Sequence, residues 1–504
     1  MSDRKQTMEH DIDEVFKGDA SIQGSLKAGA WYTICNLILK GATMLIAPFL
    51  ARILTLAEYG FYSTITTWFN MIRTVVTADL AACVPRGKYE FPRRFHAFIS
   101  SITVLGSLIT FGFYVIVLLN RTFFCSLLGC DISFFHVQFL SFLIAPAMEM
   151  LQNRARVENK YKLSVSLTLS SWFISTAFSF LLLLNVPFRT AVLGGLSSNR
   201  VFALVFGNAL PAFLLNLVIY CAILVRGRVL VDLRFWRFAL LICIPLIPHL
   251  LAGAILSQSD RIMITKLCGE EYTALYSITY TCSAVISMLF NALNQAWVPW
   301  FNEQYYHKRD AVVRKITGVY CLFFFLVTIG AVMVGPELLL IVGGREYMGA
   351  VTIMPVVMVS CFFQFSNAFF VNVEMFEKRT VYSSIGTIIA AGLNITLNFL
   401  WLPRYGYAAG AYTTLIGFAF LHYYHAFVNR KLIRERLSQL YPMMLIETLL
   451  ALTLAAIWPS IVLYRHNGLR YTGIALSLLA AGIVIYRQRQ EIAVLMKNVL
   501  RKKK

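Results

Sequence analysis

The sequence is poor in charge, and poorest in acid. Only 14% of its 504 residues are Asp, Glu, Lys or Arg, whereas a soluble globular chain carries about a quarter. That leaves too little polar surface for a water-facing globule. The ten cysteines are mostly scattered singly through apolar stretches, as at Cys35, Cys83, Cys221, Cys243 and Cys361, with no CxxC or metal-type spacing. A zinc module or dithiol redox motif is thereby excluded, and no metal is expected. There is no Walker-type loop, no G-x-S-x-G and no HExxH. The polar interruptions are too short for a catalytic domain, so neither an enzyme nor a cofactor is expected. The segment Met1–Asp19 is polar and mixed in charge, so no cleaved leader is expected.

What is present is apolar sequence in long runs: 58% of the residues are hydrophobic. A run of about 20 apolar residues crosses a bilayer as a helix, and only helices and closed barrels satisfy their backbone hydrogen bonds in lipid. The runs do not alternate polar with apolar as barrel strands do, so the expected class is an all-α integral membrane protein. Fourteen candidate spans are expected between residues 28 and 486. With the N-terminus placed in the cytoplasm, each outside loop carries no more than two Lys or Arg, and most cytoplasmic segments carry four. Examples are Arg86, Lys88, Arg93 and Arg94, then Arg154, Arg156, Lys160 and Lys162. This asymmetry follows the positive-inside rule and puts both termini in the cytoplasm. It also accounts for the formal charge of +20 without a nucleic-acid partner, because the cations form no single patch. The tail Arg501-Lys502-Lys503-Lys504 suits an anionic lipid surface.

One short pattern occurs twice. Arg52-Ile53-Leu54-Thr55-Leu56-Ala57-Glu58-Tyr59-Gly60-Phe61-Tyr62-Ser63 and Lys266-Leu267-Cys268-Gly269-Glu270-Glu271-Tyr272-Thr273-Ala274-Leu275-Tyr276-Ser277 each carry a cation, a short gap, Glu-Tyr and then Tyr-Ser. They follow spans one and seven, which predicts two parallel six-helix halves related by an axis along the membrane normal. The expected organisation is a cytoplasmic segment 1–27, an N-lobe 28–225, a C-lobe 226–430, two further spans in 431–486 and a basic tail 487–504.

An ionisable residue inside a span marks a functional site by default. Lys40 and Arg73 fall near the middle of spans one and two. Residues three and four apart share a helix face, so Thr33, Asn36, Lys40 and Thr43 form one polar stripe and Thr66, Asn70, Arg73 and Thr77 another. His249, Gly253, Ser257 and Asp260 follow on span seven, and Tyr280, Ser283, Ser287, Asn291 and Asn294 on span eight. Four such stripes meeting would line a wet cavity with a positive wall, with Arg52 and Lys266 near its outer mouth. The alternative is helix-on-helix packing, in which Ser, Thr and Asn also serve, with Asp79 as a salt-bridge partner. Asp260 and Arg261 are adjacent and cannot face each other. Arg261 is placed toward the cavity, and Asp260 toward a polar partner or coupling cation, or into a structural pair. His249 is either a proton relay or a hydrogen-bonded core histidine. Glu149, Glu374 and Glu447 read as interfacial.

Several blocks resemble the Wzx-type oligosaccharide flippases of the polysaccharide transporter family, within the multidrug/oligosaccharidyl-lipid/polysaccharide exporter superfamily. They are Gly29 through Gly60 with the Glu58-Tyr59-Gly60-Phe61-Tyr62 turn, Asp260-Arg261 ahead of Tyr272 and Tyr276, Leu393-Asn394-Ile395-Thr396-Leu397-Asn398, Leu402-Pro403-Arg404-Tyr405-Gly406 and Ala408-Ala409-Gly410-Ala411. The resemblance covers roughly the first 430 residues, and the last two spans match in hydropathy alone. It implies fourteen helices in two pseudo-symmetric lobes, a central cationic cavity, alternating access in a bacterial inner membrane, and an undecaprenyl-pyrophosphate-linked oligosaccharide as cargo. A polysaccharide polymerase and glycosyltransferases are further candidate partners. On that reading Lys40, Arg73 and Arg261 hold the headgroup and Asn36, Asn70 and Asn291 contact sugar, with Arg52 a further substrate-binding residue at the outer mouth and Asp260 and His249 the coupling candidates. Architecture alone does not settle function. A lipid II flippase, a drug or cation antiporter of the same superfamily and a non-transporting scaffold of glycan assembly remain alternatives.

Overall fold

The computed structural model describes residues 44–158 and 161–487, with Cys35, Ile38, Leu39, Gly41 and Ala42 ahead of them. Every described element is helical, with no strand among the described residues. Nine described helices are long and apolar enough to cross a membrane, or ten if Leu233–Leu246 and Leu250–Leu267 count as one broken span. The expected count of fourteen is not reproduced by that measure. Part of the first expected span lies outside the described residues, and its apolar remainder, Met44–Ile53, is short.

In chain order the helices are α1 (Met44–Ile53), α2 (Leu56–Val76), α3 (Val84–Glu90), α4 (Phe95–Leu119), α5 (Arg121–Leu128), α6 (Ile132–Val157), α7 (Tyr161–Leu184), α8 (Val186–Leu193), α9 (Arg200–Gly227), α10 (Leu233–Cys243), α11 (Ile247–Leu267), α12 (Glu270–Tyr306), α13 (Asp310–Met333), α14 (Gly335–Val342), α15 (Met354–Phe376), α16 (Thr380–Tyr405), α17 (Ala408–Ile433), α18 (Arg436–Leu440), α19 (Met443–Leu463) and α20 (Asn467–Arg487). They form two compact units. One comprises residues 1–41, 73–247 and 496–504, the other residues 42–72 and 248–495.

In the first unit α6 and α7 pack on α9, and α4 packs on both α6 and α9. Its core gathers Phe98, Cys83, Ala147, Phe235 and Ala239, with the Phe91, Phe98 and Phe235 rings 4.8–5.5 Å apart. Helix α2 ends where Ala78 and Asp79 take positive φ of 50° and 45°, a turn of handedness that non-glycine residues rarely adopt.

In the second unit α15 and α16 pack on α17, and α13 packs on α19 and α20. Helix α15 is sheathed by protein, its Phe362, Phe363 and Phe370 fully buried. By contrast Leu45, Phe49, Phe399 and Trp458 are more than 60% exposed. Apolar side chains facing outward on apolar helices are what a lipid environment demands. At one end of this unit Arg436 forks onto Asp310, Nε to Oδ2 at 2.7 Å and Nη2 to Oδ1 at 2.8 Å, and lies 4.1 Å over the Tyr305 ring. Because this fork joins α18 to the start of α13, Arg436→Ala should cost about 1–2 kcal/mol of stability, read as a lower melting temperature in detergent. Arg436→Lys, which keeps the charge but not the fork, should recover less than half of the loss.

Candidate functional site

The two copies of the repeated turn meet. Both fall in the second unit, where α2 and α12 start. The equivalent residues Ser63 and Ser277 join hydroxyl to hydroxyl at 2.6 Å, and Thr64 reaches Thr265 at 2.5 Å. Gly60 makes this approach possible, because a Cβ there would lie 1.8 Å from the backbone oxygen of Glu270. Tyr59 is buried edge-on against Tyr347, while Tyr272 is half-exposed and stacked on Tyr407.

Asp260 on α11 is 1% exposed. Its Oδ2 accepts hydrogen bonds from the hydroxyls of Tyr276 on α12 and Thr414 on α17. Its Oδ1 accepts from Asn398 Nδ2 on α16 at 2.5 Å. A second layer holds these partners in place. Asn394 donates to Thr414 and accepts from Asn398 at 3.2 Å and from Ser259 at 3.3 Å, and Thr413 donates to Asn398 Oδ1 at 2.6 Å. The local sequence dictates this arrangement. Asn394 and Asn398 are four apart and share a face of α16, and Ala390 and Ala391 with Ala252 and Leu256 let α11 and α16 close up one turn away. Three hydrogen bonds compensate the buried carboxylate for its lost hydration, and no Lys or Arg pairs with it among the described residues. A buried carboxylate caged by neutral donors from three other helices is chemically suited to take up a proton or a small cation, since its negative charge is not already matched.

Arg261, the next residue, leaves that cage. It is half-buried, sits 5.6 Å over the Tyr280 ring, and has no carboxylate partner among the described residues. The adjacency argument therefore separates the pair as expected. It fails for Ser257, which is exposed and bonded back to Gly253, so Asp260 does not continue that stripe. On α12 Tyr280, Ser287, Asn291 and Asn294 are all half-buried. Asn291 donates to the Ser287 carbonyl at 2.7 Å, which leaves its amide oxygen available.

In the first unit Arg73 donates to Glu149 on α6 at 2.6 Å, with Arg73 47% exposed. Its carboxylate partner is thus Glu149, which the sequence suggested was interfacial, and not Asp79. The pair is too exposed to be a strong staple. A double-mutant cycle of Arg73→Gln and Glu149→Gln should give a coupling below about 1 kcal/mol, and a value of several kcal/mol would contradict this. Asn70 is exposed on α2. Arg52 gives its two Nη groups to the carbonyls of Pro48 and Ile341, at 3.0 and 2.9 Å, so it ties α1 to α14. Lys40 and Asn36 lie outside the described residues, as does the side chain of His249.

Sequence reasoning missed one cluster. Glu374, expected at the interface, is fully buried on α15, where it meets His425 Nδ1 at 2.7 Å, Asn429 Nδ2 at 3.1 Å and Ser383 Oγ at 2.7 Å. His422 one turn away meets Ser366 at 2.9 Å and Glu447 at 3.2 Å. The signal was present in His422, His425 and Asn429, which are spaced on one face of α17.

Residues 25–304 match the family profile described as polysaccharide biosynthesis protein. The chain belongs to that family. The matched segment contains both repeated turns, Asp260, Arg261 and Tyr276, while Asn394, Asn398 and Thr414 lie beyond it. A relative in Haemophilus influenzae, Lsg locus putative protein 1, is 22% identical over 334 residues, covering 63% of this chain and 76% of that protein. Among solved structures, the lipid II flippase MurJ in an inward closed conformation is similar with a TM-score of 0.68 at 13% identity, over 92% of this chain and 99% of that one. An inward-facing MATE family multidrug resistance transporter of the MOP superfamily has a TM-score of 0.54 at 14% identity, over 80% and 98%. At such identities the shared property is the fold. The solved structures that share this fold are transporters, and this chain is a membrane protein of the same all-helical architecture.

Proposed function

We propose that the chain is a flippase that carries polyprenyl-pyrophosphate-linked oligosaccharide units across the bacterial cytoplasmic membrane by alternating access, for O-antigen, capsule or exopolysaccharide synthesis. The observation that carries this reading is Arg261: a guanidinium within an apolar helix, resting on an aromatic ring, without a carboxylate to neutralise it among the described residues. A cation inside a membrane-spanning helix is costly, and its presence favours a negatively charged or polar cargo. Guanidinium forks match phosphate oxygens. Low dielectric strengthens the attraction far beyond its value in water.

On this reading Lys40 and Arg73 join Arg261 on the pyrophosphate, with Glu149 as the counter-charge that Arg73 exchanges for cargo. Asn36, Asn70 and Asn291 face sugar hydroxyls, Asp260 takes up the coupling cation or proton, and His249 assists. Residues 28–225 and 226–430 are the two lobes, both termini are cytoplasmic, and the repeated turns part when the outer side opens. The lipid tail stays in the bilayer throughout. A polymerase and glycosyltransferases would act on either side of the transport step.

The test is reconstitution with a fluorescent polyprenyl-pyrophosphate sugar, paired with complementation of a deletion host. Arg261→Gln should slow flipping at least about tenfold, the equivalent of one charge-assisted hydrogen bond, with Arg261→Lys intermediate. Normal flipping and normal surface polysaccharide in a Lys40→Gln, Arg73→Gln, Arg261→Gln triple variant would refute the anionic-cargo reading. Offering lipid II in the same assay separates the peptidoglycan precursor from oligosaccharide cargo.

A further inference from the structure

The end of α17 presents a pocket unrelated to the groups above. A cavity of about 670 Å³ opens where α17, α18 and α19 meet, lined by Phe427, Arg430, Arg434, Leu437 and Met443 among others. Its chemistry is mixed in a particular way. One wall is cationic, from Arg430 and Arg434, and the floor is apolar. Lys431 stands 4.4 Å over the outer Phe427 ring. Glu435 is the one acid in the lining.

Neither the Arg430 nor the Arg434 side chain has a carboxylate or hydrogen-bond partner among the described residues, and both residues are exposed. The contrast with Arg436, two residues on, is informative. Arg436 is locked onto Asp310 and Tyr305 and accounts for the fold of this corner. Arg430 and Lys431 suit the partial negative charge at a helix C-terminus, but that does not explain a cavity beside them. Arg434 holds a φ of 45°, a region that residues with a Cβ avoid and that persists only where the surroundings impose it. The neighbours complete the picture. Phe427 is 56% exposed and Met444, at the start of α19, is 87% exposed, so an apolar surface continues outward from the cationic wall. An anionic group with hydrocarbon attached satisfies both halves, whereas a free anion satisfies only one.

We propose that this pocket is a binding site for the phosphate headgroup of an anionic phospholipid, with its acyl chains lying along Phe427 and Met444. The site is separate from the transport route. It holds a structural or regulatory lipid at the end of α17 that the Lys and Arg asymmetry assigns to the cytoplasmic leaflet, where anionic lipids attract juxtamembrane cations.

The experiment is native mass spectrometry of the full chain in detergent, titrated with phosphatidylglycerol, phosphatidylcholine or inorganic phosphate. Wild type should retain phosphatidylglycerol over phosphatidylcholine. The double variant Arg430→Gln with Arg434→Asn should lower that preference about 25-fold, roughly fivefold for each cation removed. Asn is chosen at 434 because it tolerates positive φ. Arg430→Lys with Arg434→Lys should retain most of the preference. Should the double variant not stay monodisperse, Arg430→Gln alone, on the exposed flank of α17, should give about a fivefold loss. Equal retention of the two lipids by wild type, an unchanged preference in the neutralised variants, or displacement of phosphatidylglycerol by equimolar inorganic phosphate would each overturn the proposal.

Discussion

Alanine at Gly60 is expected to force the starts of α2 and α12 apart. The added Cβ would stand 1.8 Å from the Glu270 carbonyl oxygen and 3.2 Å from the Ala274 nitrogen. Both are main-chain atoms of a 37-residue helix, so no side chain can rotate away to make room. Overpacking ordinarily costs 1–3 kcal/mol, and with rigid backbone on both sides the figure here should be about 3 kcal/mol or more. For a unit of this size that corresponds to a fall in melting temperature of roughly 5–10 °C. Ser63→Cys with Ser277→Cys provides a local reading, since the two hydroxyls are 2.6 Å apart. That pair should cross-link readily in the parent chain and poorly once Gly60→Ala is added. Gly112→Ala is the control, because a Cβ there meets nothing within 4 Å. Undiminished cross-linking and an unchanged melting temperature in Gly60→Ala would show that the two turns do not pack this closely.

The second large effect concerns Asp260, and the two obvious substitutions should behave differently. Asp260→Ala strands the hydroxyls of Tyr276 and Thr414 and one N–H of the Asn398 amide in buried positions. Each orphaned donor costs about 1–3 kcal/mol, so the variant should fold poorly or not at all. Asp260→Asn retains the shape. Its amide oxygen still accepts from Asn398, and the two hydroxyls can turn to accept from its NH₂, because a hydroxyl both donates and accepts. The expected cost is about 1 kcal/mol, with near-normal yield. Activity distinguishes the two roles. If the proposed coupling role holds, an amide cannot replace a carboxylate that takes up a proton or cation in each cycle, so Asp260→Asn should fold and yet fail in the flipping assay. A fully active Asp260→Asn protein would demote the residue to a packing element.

The resemblance blocks acquire a physical meaning in this setting. Asp260, Tyr276, Asn394, Asn398 and Thr414 come from four helices and up to 154 residues apart in sequence, yet they form one hydrogen-bonded cage. Short motifs that are unremarkable one at a time are parts of a single buried object. The same logic applies to Glu374. Its position near a helix end suggested an interface, but the burial of α15 beneath α17 placed it in dry protein, where His425 and Asn429 had to be its partners. Position along a helix reports depth in a membrane. It does not report which face a neighbouring helix covers.

Hydropathy and charge distribution, both local properties, were enough to establish from the sequence that the chain is helical and membrane-embedded, because lipid permits few backbone solutions. The likeness of the two turns was legible too, but that Ser63 and Ser277 touch was not, because a repeated pattern does not say whether its copies meet. The charge pairings were not legible. Arg73 with Glu149, Arg52 with backbone carbonyls and Asp260 with neutral donors depend on which helix faces come together, and an apolar helix can be covered on any side by another apolar helix without a trace in its own periodicity. Only tertiary packing decided which polar groups were already paired, and among the described residues it left Arg261 half-buried on the Tyr280 ring without a carboxylate.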